Sequence, residues 1–194
     1  MTRKLLTGGV LLVSLASFAA SAQDKWSGFL CCNMHSDGQE ISDINIDEAG
    51  QHVIALGTPI AVTGYGRHRV NVFVENRKQA IVNDNSRELS VQDFAKRYVV
   101  QEDPSVALKS YPKNIQYAIT AGHLVKGMTR EQVIMSLGYP TSGDNPSING
   151  KSWTFWLADK VQNEKAQYRV KFDENDRVSD VENAIDARAL LLTQ

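Results

Sequence analysis

The chain has 194 residues, with 21 Lys plus Arg against 22 Asp plus Glu, 42% hydrophobic residues and two Cys. That is ordinary globular composition, and it excludes the collagen-like, disordered and disulfide-scaffold classes. A formal net charge of −1 argues against nucleic acid or anionic lipid as the main partner.

The first residues differ from the rest. Arg3 and Lys4 open the chain with positive charge, Leu5 to Ala19 is apolar, and Ala20-Ser21-Ala22 places small residues before Gln23. This is the secretory signal pattern. An N-terminal membrane anchor is the alternative, but the apolar run is short and carries Ser and Gly. Removal of residues 1–22 takes away two basic and no acidic residues, so the remaining 172 residues carry a net charge of −3. The expectation is an exported protein with no transmembrane segment after cleavage.

The two cysteines, Cys31 and Cys32, are neighbours. Together they close no useful loop, so a bond between them stabilises little by chain entropy. Three readings stay open: buried thiols on a strand, a vicinal or intermolecular disulfide, and metal or redox use. No His or second Cys pair stands at zinc spacing. Phe29-Leu30 and a polar stretch precede Cys31, which is not the setting of a lipid-attachment cysteine.

Residues 23–100 read as a β-rich module. Ile41, Ile44 and Ile46, then 52–56, 60–63, 69–75 and 79–83, give short strands separated by Gly57-Thr58-Pro59, Gly64-Tyr65-Gly66 and Asn76-Arg77-Lys78. In 69–75, Val70, Val72 and Val74 alternate with polar residues. Short strands at this spacing predict a small antiparallel barrel of about five strands, SH3-like in size. Ser90 is placed to cap a short helix carrying Phe94 and Tyr98 on one face. Residues 101–111, with Pro104 inside and Pro112 beyond, read as a linker, in which Asp103-Pro104 marks a chain reversal or a helix beginning.

From Pro112 the pattern turns helical. Ile115, Ala118 and Ile119 fit one helix, closed by Gly122. Thr129 and Gln132 form a capping box for a second over Arg130–Leu137, with Met128 and Val133 as a hydrophobic staple and Gly138-Tyr139-Pro140 as the stop. Val133, Ile134 and Leu137 are its expected buried stripe. Strands follow at 153–157, 168–172 and 178–181, giving two helices on a three-stranded antiparallel meander. Residues 183–194 read as a C-terminal helix or tail. The fold class is α+β.

Motifs for catalysis are absent: there is no G-x-S-x-G, H-E-x-x-H, Walker A or G-x-G-x-x-G. His35, His52, His68 and His123 are scattered, and 173–176 lacks the spacing of a calcium loop. No cofactor, no metal and no enzymatic activity are expected. Candidate partner-binding residues are Tyr139 and Pro140 at the helix exit and Trp153 and Trp156 on the following strand. Arg67 and Arg69, at a basic turn, come next. Aromatic and Arg side chains supply large buried area or bidentate contacts at modest entropic cost.

The stretch Gly127-Met128-Thr129-Arg130-Glu131-Gln132-Val133 with Leu137-Gly138-Tyr139-Pro140, the Trp153-Thr154-Phe155-Trp156 strand and the 170–178 hairpin together resemble the SmpA/OmlA (BamE-like) family over residues 112–182. The resemblance implies two helices on an antiparallel sheet used for protein contact, in a family that serves outer-membrane assembly, and with it a place in the periplasm or at the outer-membrane periphery, peripheral membrane association included. Asn33-Met34, Asp37-Gly38, Ile41-Ser42-Asp43, Gly57-Thr58-Pro59 and Gly64 to Arg67 resemble the N-terminal part of exported bacterial proteins with a two-part layout. The expected function is non-enzymatic binding of envelope proteins, among them outer-membrane assembly components, in envelope assembly or maintenance. Cell-wall peptide or glycan binding by the β module, or inhibition of an exported hydrolase, are the alternatives.

Overall fold

The computed structural model describes residues 25–159, 164–182 and 191–192; the expected signal segment, 1–22, lies outside them. The N-terminal part is one curled eight-stranded sheet. Its strands are β1 (Trp26–Leu30), β2 (Met34–Ser36), β3 (Glu40–Ser42), β4 (His52–Ile54), β5 (Pro59–Tyr65), β6 (Arg69–Val74), β7 (Arg77–Val82) and β8 (Val99–Val100). Their order across the sheet is β4-β2-β3-β7-β6-β5-β1-β8, so β4 and β8 are its edges. Neighbours pair antiparallel, except that β3 runs parallel to β7. The alternation read in β6 is realised: Val70, Val72 and Val74 are buried while Arg69, Asn71 and Phe73 face out. Each buried Val contributes about 1.5–3 kcal/mol of transfer free energy. The sheet curls around α1 (Val91–Tyr98), which inserts Phe94, Ala95 and Tyr98. Ser90 Oγ accepts from Asp93 N–H and caps that helix, as its position predicted. The half-barrel is larger than about five strands because β2–β4 and β8 extend it.

The C-terminal part contains α3 (Lys113–Thr120), β9 (Leu124–Val125), α4 (Arg130–Leu137), β10 (Ser152–Asp159), β11 (Glu164–Phe172) and β12 (Val178–Glu182). Strands β10-β11-β12 form an antiparallel meander. Trp153 opposes Val170 and Phe155 opposes Tyr168, and this aromatic face packs on the helices together with Ile115, Ile119, Leu124, Met128 and Val133. The capping box of α4 is complete, with Thr129 and Gln132 each bonding the other's backbone N–H. Gly138 ends the helix at φ 82°, a left-handed conformation that suits glycine.

Four expectations change. Residues 101–111 are not a bare linker: Asp103 caps α2 (Pro104–Ser110) through a bond from Ser105 N–H, using Pro104 at the first turn where its missing N–H costs nothing. Cys31 and Cys32 lie on the bend between β1 and β2, not on a strand. Gly64 and Tyr65 belong to β5, so the reversal falls at 66–68. Leu191–Leu192 is a strand, β13, parallel to β9, where a helix was expected; residues 183–190 of that expected helix lie outside the described residues.

The burial of α4 also departs from a single stripe. Val133 and Met135 enter the C-terminal core, while half-buried Ile134 packs against both cores. The helix is a wedge between the halves, so its apolar residues are not confined to one face. Among the described residues, no helix is long and apolar enough to cross a membrane.

Candidate functional site

The seam between the halves is built on two asparagines. Asn33 follows the cysteine pair and is buried. Its Nδ2 donates to the Ile119 carbonyl at 2.6 Å and its Oδ1 accepts from Leu56 N–H at 3.1 Å. Its own N–H donates to the Met135 carbonyl at 3.1 Å. Asn45, at φ 49°, donates to the carbonyls of Leu137 (2.6 Å) and Asn33 (2.9 Å) and accepts from His35 N–H (2.7 Å). A second link runs from buried Asp43, which accepts from Asn85 N–H and Nδ2, both at 2.9 Å. Asn85 in turn accepts from Gly143 N–H at 3.0 Å. Loss of solvent on burial pushes the Asp43 carboxyl above its ordinary range, against the opposing Asn85 hydrogen bonds.

Beside this seam lies a groove of about 570 Å³, within the size range of ligand sites. Its walls come from both halves. Asn33, Ile44 and Val53 come from the N-terminal half, and His123, Leu137, Phe155, Trp156, Leu157 and Ala158 from the C-terminal half. The buried Nδ1 of His123 has no hydrogen-bond partner among the described residues. A Lys165–Glu48 ion pair at 2.8 Å also joins the halves, from β11 to the loop before β4.

The predicted residues distribute unevenly. Trp156 reaches the groove: it is half-buried, and its Nε1–H donates to Asp144 Oδ2 at 2.8 Å. Trp153 is 0% exposed, so no partner can touch it. It lies under the Arg130 guanidinium, 5.0 Å from its ring centroid, and donates to the Ile148 carbonyl. Pro140 is also buried. Tyr139 packs against the N-terminal core, edge-on to Tyr98 at 5.8 Å and beneath Arg97; burial pushes its hydroxyl above the ordinary range. Arg67 and Arg69 are exposed near the β5–β6 reversal, where Arg69 pairs with Glu40 at 3.2 Å. Neither lines the groove. Cys31 and Cys32 are buried and their sulfurs are bonded to each other, directly before Asn33. No group of three or more His, Cys, Asp or Glu among the described residues could hold a metal ion.

Sequence reasoning missed the asparagines and the Asp144-Asn145 pair. Asn145 acts as a short piece of strand: its Oδ1 accepts from Thr154 N–H at 2.7 Å and its Nδ2 donates to the Thr154 carbonyl at 2.9 Å. A polar loop gives no sign of such a role.

Residues 120–182 match the family model described as the outer membrane protein assembly factor BamE domain. The C-terminal part of the chain therefore carries a BamE-like domain. The match takes in α4, the three-stranded sheet and only the last residue of α3. No curated protein and no solved structure matches the chain. The BamE-like domain supplies one wall of the groove, and the curled β sheet supplies the other.

Proposed function

We propose that the protein is a non-enzymatic, exported protein-binding component of outer-membrane assembly or maintenance, which receives its partner in the groove beside the seam. The observation that carries this reading is the BamE-like domain at 120–182 with an apolar groove opening along its first strand. Trp156 is the anchor at the groove. Tyr139, Pro140 and Trp153 support it from behind by fixing the helix exit and the sheet. The basic turn at Arg67 and Arg69 lies outside this contact.

The test is site-specific photo-crosslinking in the native host, with the crosslinker placed at Trp156 or, for comparison, at Arg67. Adducts with outer-membrane assembly proteins from position 156, and none of the same adducts from position 67, are expected. Capture of the same proteins from both positions, or none from 156, refutes the site.

A further inference from the structure

Two sheet edges, β10 and β4, border the same groove, and among the described residues no further strand pairs with either. In β10, Thr154 exchanges both backbone bonds with Asn145 rather than with β11. Antiparallel strands alternate the side to which successive residues turn their N–H and C=O groups. Trp156 and Ala158 therefore aim theirs outward as Thr154 does, but beyond the reach of Asn145. β10 is an edge of its sheet, and both residues line the groove.

The opposite wall repeats the arrangement. His35 N–H turns to Asn45 Oδ1, so His35 does not spend its backbone groups on β4. Val53, its direct partner in register, turns its own groups outward from edge strand β4. Val53 is 50% exposed.

From this juxtaposition we infer that the groove binds an extended segment of a partner polypeptide, which adds as a strand along the open β10 edge at Trp156 and Ala158 and faces β4 across the groove. The inference deepens the protein-binding reading above and rests on it. The chemistry of the walls selects this occupant. Outward donors and acceptors recur every second residue, about 6.6–6.8 Å apart, which is the repeat of another main chain. A lipid tail would bury those groups unpaired, at a cost of kilocalories each. A sugar supplies hydroxyls without that period. Apolar side chains on alternate residues of the incoming strand would meet Ile44, Val53, Leu137 and Leu157, the division of labour found where a peptide extends a sheet: main-chain bonds for affinity, side-chain pockets for choice. The segment is short, because Asn145 already occupies the edge at Thr154.

The test uses the full mature chain. Twelve-residue peptides are selected from a random display library, resynthesised, and N-methylated on alternate amides in either phase. Methylation in one phase should weaken binding roughly tenfold or more, because it removes the donors that meet β10, while the other phase binds within about twofold. Ala158→Pro, which deletes an outward N–H at an edge position where proline is tolerated, should weaken the parent peptide by a similar factor. The methylation pattern stands even if that variant fails to fold. Failure of the library to yield a peptide that competes with occupancy at Trp156, or equal effects of both methylation phases, overturns the inference. A dimer in sedimentation that Ala158→Pro dissociates also overturns it, since the occupant is then a second copy. If crosslinks from Trp156 to assembly proteins persist while strand binding fails, only this inference falls. If strand peptides bind but no assembly protein is captured, only the assignment to outer-membrane assembly falls.

Discussion

Replacing Asn33 with Ala tests whether the two halves are held by their polar seam or merely touch. The substitution deletes the acceptor for Leu56 N–H and the donor to the Ile119 carbonyl. Leu56 is 9% exposed, so its N–H is left buried without its partner, which costs about 1–3 kcal/mol. The Ile119 carbonyl keeps a bond from Gly122 N–H, so that loss is nearer ~1 kcal/mol. The sum is about 2–4 kcal/mol, or a fall of roughly 5–15 °C in Tm for a chain of this size. The loss falls at the junction, so urea unfolding followed by both tryptophan fluorescence and far-UV circular dichroism should separate into two transitions where the parent shows one. Asn33→Asp sharpens the experiment. It keeps an acceptor for Leu56 N–H but sets an oxygen against the Ile119 carbonyl, so it should be worse than Ala near pH 7 and recover as the pH falls and the carboxyl gains a proton. A loss below ~0.5 kcal/mol with a single transition retained would refute the claim that Asn33 bolts the halves together.

Three further outcomes rest on close packing and burial elsewhere in the fold. A Cβ at Gly28 would lie 2.2 Å from the Val100 carbonyl oxygen, so Gly28→Ala should cost more than ~2 kcal/mol by forcing β8 away from β1, seen as early amide exchange at Val99 and Val100; unchanged exchange there contradicts it. The Asp43 carboxyl is pushed up by burial, so the native state holds its proton to higher pH than the unfolded chain does. Stability from this group is full below the ordinary carboxylate range and is lost as pH rises through the raised value. Urea midpoints of wild type and Asp43→Asn measured from pH 4 to 7 should therefore diverge, wild type losing ground as pH rises, whereas parallel curves would count against it. Arg130 stands 4.1 Å from the Phe172 ring centroid while bonding Asp176 and the carbonyls of Ile148 and Gly150. Arg130→Ala should cost ~2–4 kcal/mol in chemical denaturation, and Arg130→Lys should recover less than half because it lacks the planar fork.

What the sequence made legible is local. The capping box at Thr129, the Ser90 cap and the Val70-Val72-Val74 alternation each depend on neighbours within a few residues, and each stands in the structure as read. The seam does not share that property. Asn33 meets partners 23 and 86 positions away, and nothing in the pattern around an isolated Asn announces them. Trp153 illustrates the same limit from the other side: its residue type suits an exposed anchor, yet Arg130 and the sheet bury it. The α4 stripe is legible in part: Val133, Ile134 and Leu137 do pack on the C-terminal core, but Ile134 also meets the N-terminal one, and period 3.6 reports burial without saying against which half.

That doubly covered helix bears on how binding in the groove would act. Asn33 contributes both to the seam and to the groove wall, and so do Asn45 and Leu137. A strand seated between β4 and β10 would touch both halves only while they are docked in this arrangement. By mass action, an occupant that binds the docked form alone stabilises it, by about 2.7 kcal/mol at a hundredfold excess over its Kd. That is comparable with the loss calculated for Asn33→Ala, so a tight strand peptide should restore a single unfolding transition to that variant. A peptide that bound the BamE-like domain alone would shift its transition and leave the two separate.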